Sequence, residues 1–249
     1  CMGCHQGRAS GLSVRTAEPN DEVQDPDYDS FNAINIHYYA AAAVLFGADA
    51  DAGYQYRADP DNPATEFVYQ GQNNFVGFHE VGNLELTDCI GCHMNSNPDD
   101  APAKHTFMPA EVDDCSDCHS GGPSFKDLQT RPRTYWFAID TLKTQLYAAI
   151  QDYADGGGLP QDSPVFYEGH EYPYWFKDNG MGANYGNRYR DFDKAMLAAA
   201  YNYVVADKDP GGYIHNGIYI QQILWDSIIS MGTCPNLNPP PPGRDPCEP

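Results

Sequence analysis

Six of the eight cysteines fall in three copies of one pentapeptide, Cys1-Met2-Gly3-Cys4-His5, Cys89-Ile90-Gly91-Cys92-His93 and Cys115-Ser116-Asp117-Cys118-His119. Two thiols at this spacing, followed at once by an imidazole, form the pattern that attaches haem c covalently. The thiols add across the two vinyl groups, and His5, His93 and His119 are then placed beneath the rings as proximal iron ligands. A single Cys-x-x-Cys pair would read equally well as a zinc or dithiol site. Gathering Cys89, Cys92, Cys115 and Cys118 around one zinc, however, leaves the first motif and all three following histidines without a role.

Three irons need three further ligands. Five histidines lie outside the motifs: His37, His79, His105, His170 and His215. Histidine is the commoner sixth ligand where several haems crowd together. His37 has alanines nearby that would admit a porphyrin, and His79 precedes the second motif by ten positions. His105 lies between the second and third motifs, within reach of either haem. His215 stands just before a predicted helix, with Asn216-Gly217 following. These four are the expected distal ligands, one more than three irons require, and the fourth could serve a haem of a neighbouring subunit. His170, between Gly169 and Glu171, reads as a histidine hydrogen-bonded to nearby acids. Met2, Met94, Met108 and Met181 read as packing residues, as do most of the 18 tyrosines, which fill space against flat ring faces and one another. Two imidazoles per iron leave no open coordination position, so the arrangement suits electron conduction and no catalytic residue is assigned.

The elements that must position these groups are mostly helical. Asn32 to Phe46 reads as a helix capped by Asn32 or Asn35. Tyr135, Ile139, Leu142, Leu146 and Ile150 recur at helical spacing and predict a helix over 134–154. Phe192, Met196, Leu197, Ala200, Tyr201 and Val204 predict a second, stopped by Asp209-Pro210-Gly211-Gly212. Ile220, Ile223, Leu224, Ile228 and Met231 predict a third, from about Asn216 to Met231. Residues 47–74 and 94–114 read as irregular. The 155–190 stretch is rich in Gly, Tyr, Asp and Asn. There Lys177-Asp178-Asn179-Gly180 and Asn184 offer oxygens to a hard cation such as calcium, but no glutamate closes the loop, and a plain turn-rich loop is the favoured reading. The expected fold is mostly α with extensive irregular loop and little β structure, packed around haem. Its expected parts are a three-haem attachment region (1–130), a helical region packing on the haems (131–232) and a Pro-rich tail (233–249). Cys234 and Cys247 are the cysteines left over, and in an oxidising compartment a disulfide between them is the default; free thiols or pairing with another subunit are the alternatives.

With 35 acidic against 14 basic residues the formal charge is −21, which repels nucleic acid and anionic lipid and suits docking to a basic redox partner. No run of 18 apolar residues is present, so no transmembrane segment is expected. Covalent haem attachment is expected outside the cytoplasm. Since the sequence opens on a motif cysteine with no visible signal peptide, processing or trimming is inferred.

The motifs resemble those of multihaem c-type cytochromes. Several segments are similar to respiratory multihaem cytochromes of metal-reducing bacteria: Cys4-His5-Gln6-Gly7-Arg8, Asn35-Ile36-His37-Tyr38 with Gly53-Tyr54-Gln55-Tyr56, Cys92-His93-Met94 with His105-Thr106-Phe107, and Asp209-Pro210-Gly211-Gly212 with His215-Asn216-Gly217-Ile218-Tyr219. The resemblance implies bis-histidine haems, an extracellular, cell-surface or periplasmic place, and anaerobic respiration with a redox protein or extracellular electron acceptor as partner. Some extracellular relatives polymerise into filaments with haems continuous from subunit to subunit, so a homo-oligomer or filament is a further implication. The alternative function is a multihaem oxidoreductase with one five-coordinate haem acting on a small nitrogen or sulfur compound.

Overall fold

The computed structural model describes residues 1–20, 28–37, 39–56, 68–72, 80–81, 84–85, 89, 93, 126–157, 159 and 164–247. The chain divides into two units. The smaller comprises Cys1 and residues 73–134. The larger comprises Met2–Gln72 and Tyr135–Pro249.

Within the smaller unit, strands β1 (Glu80–Val81) and β2 (Leu84–Glu85) pair antiparallel, with Val81 opposite Leu84. The larger unit opens with short helices α1 (Met2–His5), α2 (Gly11–Arg15) and α3 (Ala41–Phe46), the last followed by a 3-10 turn over Gly47–Ala50. Helix α4 spans Lys126–Asp152. A hairpin of β3 (Val165–Tyr167) and β4 (Trp175–Lys177) precedes the two core helices, α5 (Lys194–Lys208) and α6 (Gly212–Ser230).

The core is built where the helical stripes place it. Leu142, Leu146 and Ile150 of α4 are fully buried, as are Met196 and Leu197 of α5 and Ile223, Leu224 and Ile228 of α6. Helix α5 packs on α6, α3 packs on α6, and α1 on α3. Helix α5 starts where Asp193 accepts a hydrogen bond from the Met196 N–H at 2.7 Å, satisfying one of the free donors of the first turn. It stops before Pro210, which cannot continue the hydrogen-bond ladder.

The predicted helix from Asn32 to Phe46 is confined to Ala41–Phe46. Upstream, the Asn35 side chain accepts from the His37 N–H at 2.9 Å, giving the backbone a local turn in place of a helical bond. His37 (φ 79°) and Tyr39 (φ 52°) then adopt left-handed conformations that no right-handed helix accommodates. Phe31 bridges to Phe192 instead. Helix α4 begins earlier than the stripe indicates. The 155–190 stretch contains the β3–β4 hairpin, which its turn-rich composition concealed. Helix α6 starts at Gly212, four residues before Asn216. Asn216 itself is non-helical (φ −163°, ψ 72°), and its side chain accepts from the Tyr219 N–H, recapping the helix after a first turn that carries His215.

The irregular segment 47–56 takes its hydrogen bonds from helix side chains rather than from a sheet, as buried backbone must find some partner. Asn202 brackets Tyr54 by accepting from its N–H (2.6 Å) and donating to its carbonyl (2.9 Å). Tyr219 Oη accepts from the Gly53 N–H, and Tyr201 Oη donates to the Ala52 carbonyl. The tail is held similarly. Cys234 and Cys247 form a disulfide, Asn236 exchanges two hydrogen bonds with Gln145, and Gln222 donates to the Pro242 carbonyl. Arg244 makes a bidentate pair with Asp226 at 2.7 and 2.6 Å.

Candidate haem-binding site

Helix α1 places Cys4 and His5 on a single turn at the surface. Cys1 and Cys4 are exposed free thiols, and His5 is half-buried. His5 Nδ1 lies 2.7 Å from the Tyr39 carbonyl oxygen. A carbonyl only accepts, so this contact assigns the ring proton to Nδ1. A metal-ligating histidine needs this support from behind, because it fixes both tautomer and ring orientation. The exposed Cys4 thiol and the oriented His5 imidazole, on one turn of the larger unit, fit a covalently attached haem.

Ile36, His37 and Tyr39 form a strap beside the first motif. The Arg8 N–H donates to the Ile36 carbonyl at 2.9 Å. Gly7 has φ 79°, and a Cβ there would lie 2.9 Å from the Ile36 side chain, so glycine lets the motif dock on this strap. His37 lies in the strap and is half-buried. The Tyr39 N–H donates to the Lys208 carbonyl at 2.7 Å, joining the strap to the end of α5.

The residue after Lys208 is Asp209, which is buried and holds His215. His215 Nδ1 lies 2.9 and 2.8 Å from its two carboxylate oxygens. Burial opposes a charge on His215, but the hydrogen bond and charge of Asp209 outweigh it and raise the imidazole pKa above its ordinary value. As at His5, the ring is held through Nδ1, here by a carboxylate. The ring also lies against Gly211, where a Cβ would come within 2.7 Å of His215 Cε1. The larger unit thus links His5, Tyr39, Lys208, Asp209 and His215 by successive contacts, with His37 on the strap between.

His170 is exposed and pairs with Glu168 at 3.1 Å, matching its reading as a histidine satisfied by acids. Cys89 is exposed and His93 half-buried. Cys92, Cys115, Cys118, His119, His79 and His105 lie outside the described residues. The suggested calcium loop is a self-contained turn. Asn179 Oδ1 accepts from Met181 N–H, and Asn184 Oδ1 from Gly186 N–H, so these oxygens serve their own backbone. Among the described residues no group of three or more His, Cys, Asp or Glu side chains could cage a metal ion, and no helix is long and apolar enough to cross a membrane. The orienting groups escaped the sequence reading. Asp209 was visible only as part of a helix stop, and the Tyr39 contribution is a main-chain carbonyl, which leaves no sequence signal.

The three haem-attachment motifs and the predominantly helical fold go together with distant sequence similarity to polyhaem cytochromes. The chain is 27% identical over 256 residues to the C-type polyheme cytochrome OmcB of Geobacter sulfurreducens, across 92% of this chain and 30% of that protein. It is 28% identical over 258 residues to the C-type polyheme cytochrome OmcC of the same species, across 92% of this chain and 29% of that protein. The chain therefore spans about 30% of the length of the curated relatives it matches. No family model matches it, and no solved structure does.

Proposed function

We propose that this chain carries three covalent c-type haems, each with histidine on both faces, and passes electrons among them without acting as an enzyme. The observation that carries the reading is the threefold Cys-x-x-Cys-His motif. Cys1, Cys4, Cys89, Cys92, Cys115 and Cys118 form the thioethers. His5, His93 and His119 are proximal ligands, and the distal ones come from His37, His79, His105 and His215. The haems supply reversible one-electron chemistry when bound. The chain's own part is to fix and orient them: the Tyr39 carbonyl holds His5, and Asp209 holds His215 in the matching way.

The Cys234–Cys247 disulfide supports a place in an oxidising compartment, at the cell surface, outside the cell or in the periplasm. The charge of −21 supports a basic redox partner, whose approach it would steer. Four distal candidates for three irons support assembly with further copies, one histidine passing to a haem of the neighbouring subunit, as in a filament.

Covalently bound haem quantified as the alkaline pyridine haemochrome, together with low-temperature EPR of the oxidised protein, tests this. Three covalent haems per chain, all low-spin, are expected. One or two haems, or a high-spin signal that binds small anions, would overturn the bis-histidine reading.

A further inference from the structure

The hairpin β3–β4 and helix α5 gather aromatic rings into a continuous array. Trp175, 1% exposed, lies 5.0 Å from Tyr167 and 5.5 Å from Tyr203 between ring centroids. Tyr167 is 6.4 Å from Tyr174, and Tyr174 is 6.0 Å from Tyr172. Tyr172 is 66% exposed. The rings therefore lead from the centre of the core to solvent in steps short enough for electron hopping.

Packing alone would be met by phenylalanine, but two polar features distinguish this array. Tyr167 Oη donates to Asp207 Oδ2 at 2.7 Å, and the other oxygen of Asp207 takes Lys143 Nζ at 2.8 Å. A phenol that loses an electron becomes a strong acid, and here a carboxylate already in hydrogen-bond contact can take its proton. Trp175 Nε1, by contrast, is buried with no hydrogen-bond partner among the described residues. An oxidised Trp175 has no base to deprotonate it, stays a radical cation, and retains the driving force to oxidise Tyr167.

We infer that Trp175, Tyr167 and Asp207 form a redox site that captures an oxidising equivalent in the core and discharges it to solvent through Tyr174 and Tyr172. A strong one-electron oxidant, of the kind formed when peroxide meets a reduced metal centre, removes one electron from the indole. Tyr167 returns an electron to the indole and passes its phenolic proton to Asp207, leaving a neutral tyrosyl radical and a protonated carboxyl. One electron then tunnels from a solvent thiol or ascorbate to the Tyr167 radical across the Tyr172 and Tyr174 rings, which bridge the path and keep their protons, and the proton on Asp207 moves back to Tyr167. Lys208 Nζ stands 4.0 Å over the Tyr174 ring. That positive charge makes Tyr174 hard to oxidise, so the radical dwells on Tyr167 and the outward step is the slow one.

The test is flash-quench oxidation of the holoprotein with photogenerated tris(bipyridine)ruthenium(III), read by freeze-quench EPR. Wild-type protein should give a tyrosyl radical whose formation slows in D2O. Tyr167→Phe, which keeps the ring, should lower that signal at least about fivefold and leave an indolyl radical cation in its place. Asp207→Asn should slow tyrosyl formation about tenfold. Tyr172→Phe should leave formation unchanged and slow decay with ascorbate about tenfold. An unchanged tyrosyl yield and hyperfine pattern in Tyr167→Phe, or decay indifferent to Tyr172→Phe, would overturn the proposal. Either outcome leaves the haem assignment untouched, because the radical is read separately from the haem signals.

Discussion

Asp226→Ala removes the carboxylate that Arg244 grips in the core. Each side chain is 2% exposed, so the guanidinium cannot recover its lost hydrogen bonds from water. Breaking a buried pair by deleting one partner costs about 3–5 kcal/mol, most of it from the charge left uncompensated. Tyr69 Oη also donates to Asp226, at 2.6 Å, and its orphaned hydroxyl adds about 1–3 kcal/mol. For a chain of this size ~1 kcal/mol moves the melting temperature by about 2–4 °C. The expected fall is about 8–32 °C for the transition of the larger unit, followed by circular dichroism or calorimetry. The companion variant, Asp226→Leu with Arg244→Met, removes both charges and fills their space with apolar groups. It should recover most of the loss, since no ion is left buried. Limited proteolysis should show the tail freed in the single variant and protected in the double one. A single variant that melts within ~2 °C of wild type, or a double variant as unstable as the single, would refute the claim that this pair anchors the tail.

Four further outcomes are expected. Cys4→Ser, Cys92→Ser and Cys118→Ser should each remove one covalent haem per chain in the haemochrome assay while leaving the other two motifs loaded. Gly211→Ala places a Cβ 2.7 Å from His215 Cε1 and should shift the ring, altering one low-spin EPR signal if His215 ligates iron and none if it does not. Converting Cys234 and Cys247 to serine opens a loop with a sequence separation of 13 and should cost about 3 kcal/mol in chemical denaturation. Burial pushes the Asp207 carboxyl pKa up, but Lys143's charge and hydrogen bond, with the Tyr167 hydrogen bond, hold it below its ordinary 3.8. Its folded pKa being depressed, Asp207 contributes stability that is present above the unfolded value and lost as pH falls through the folded one. The melting-temperature gap between wild type and Asp207→Asn should therefore stay constant above about pH 5 and close as the pH falls below 3.8 and through the folded pKa.

The haem chemistry was legible because it is local. Thioether attachment and proximal ligation are written in five consecutive residues, and no fold is needed to bring Cys4 beside His5. The stripes of α4, α5 and α6 were legible for a related reason: a buried helix face repeats every three to four residues whatever it packs against. The Cys234–Cys247 link followed from elimination, since the other six cysteines had a use.

Tertiary structure decided what depended on distant partners. Residues 32–40 carry a helical composition, yet the Asn35 side chain and the left-handed His37 and Tyr39 turn them into a strap. That strap serves the first motif through the Tyr39 carbonyl, a group every residue possesses. Asp209 acts on His215 only because the chain reverses between α5 and α6. Trp175, Tyr167 and Asp207 meet through a hairpin that turn-rich composition concealed. The sequence by itself singled out the groups proposed to bind haem, since bond-forming chemistry resides in residue type and short spacing. Which imidazole is oriented, which tyrosine has a proton acceptor and which charge is buried arise from contacts between residues 6 to 40 positions apart, and those exist only once the core has closed.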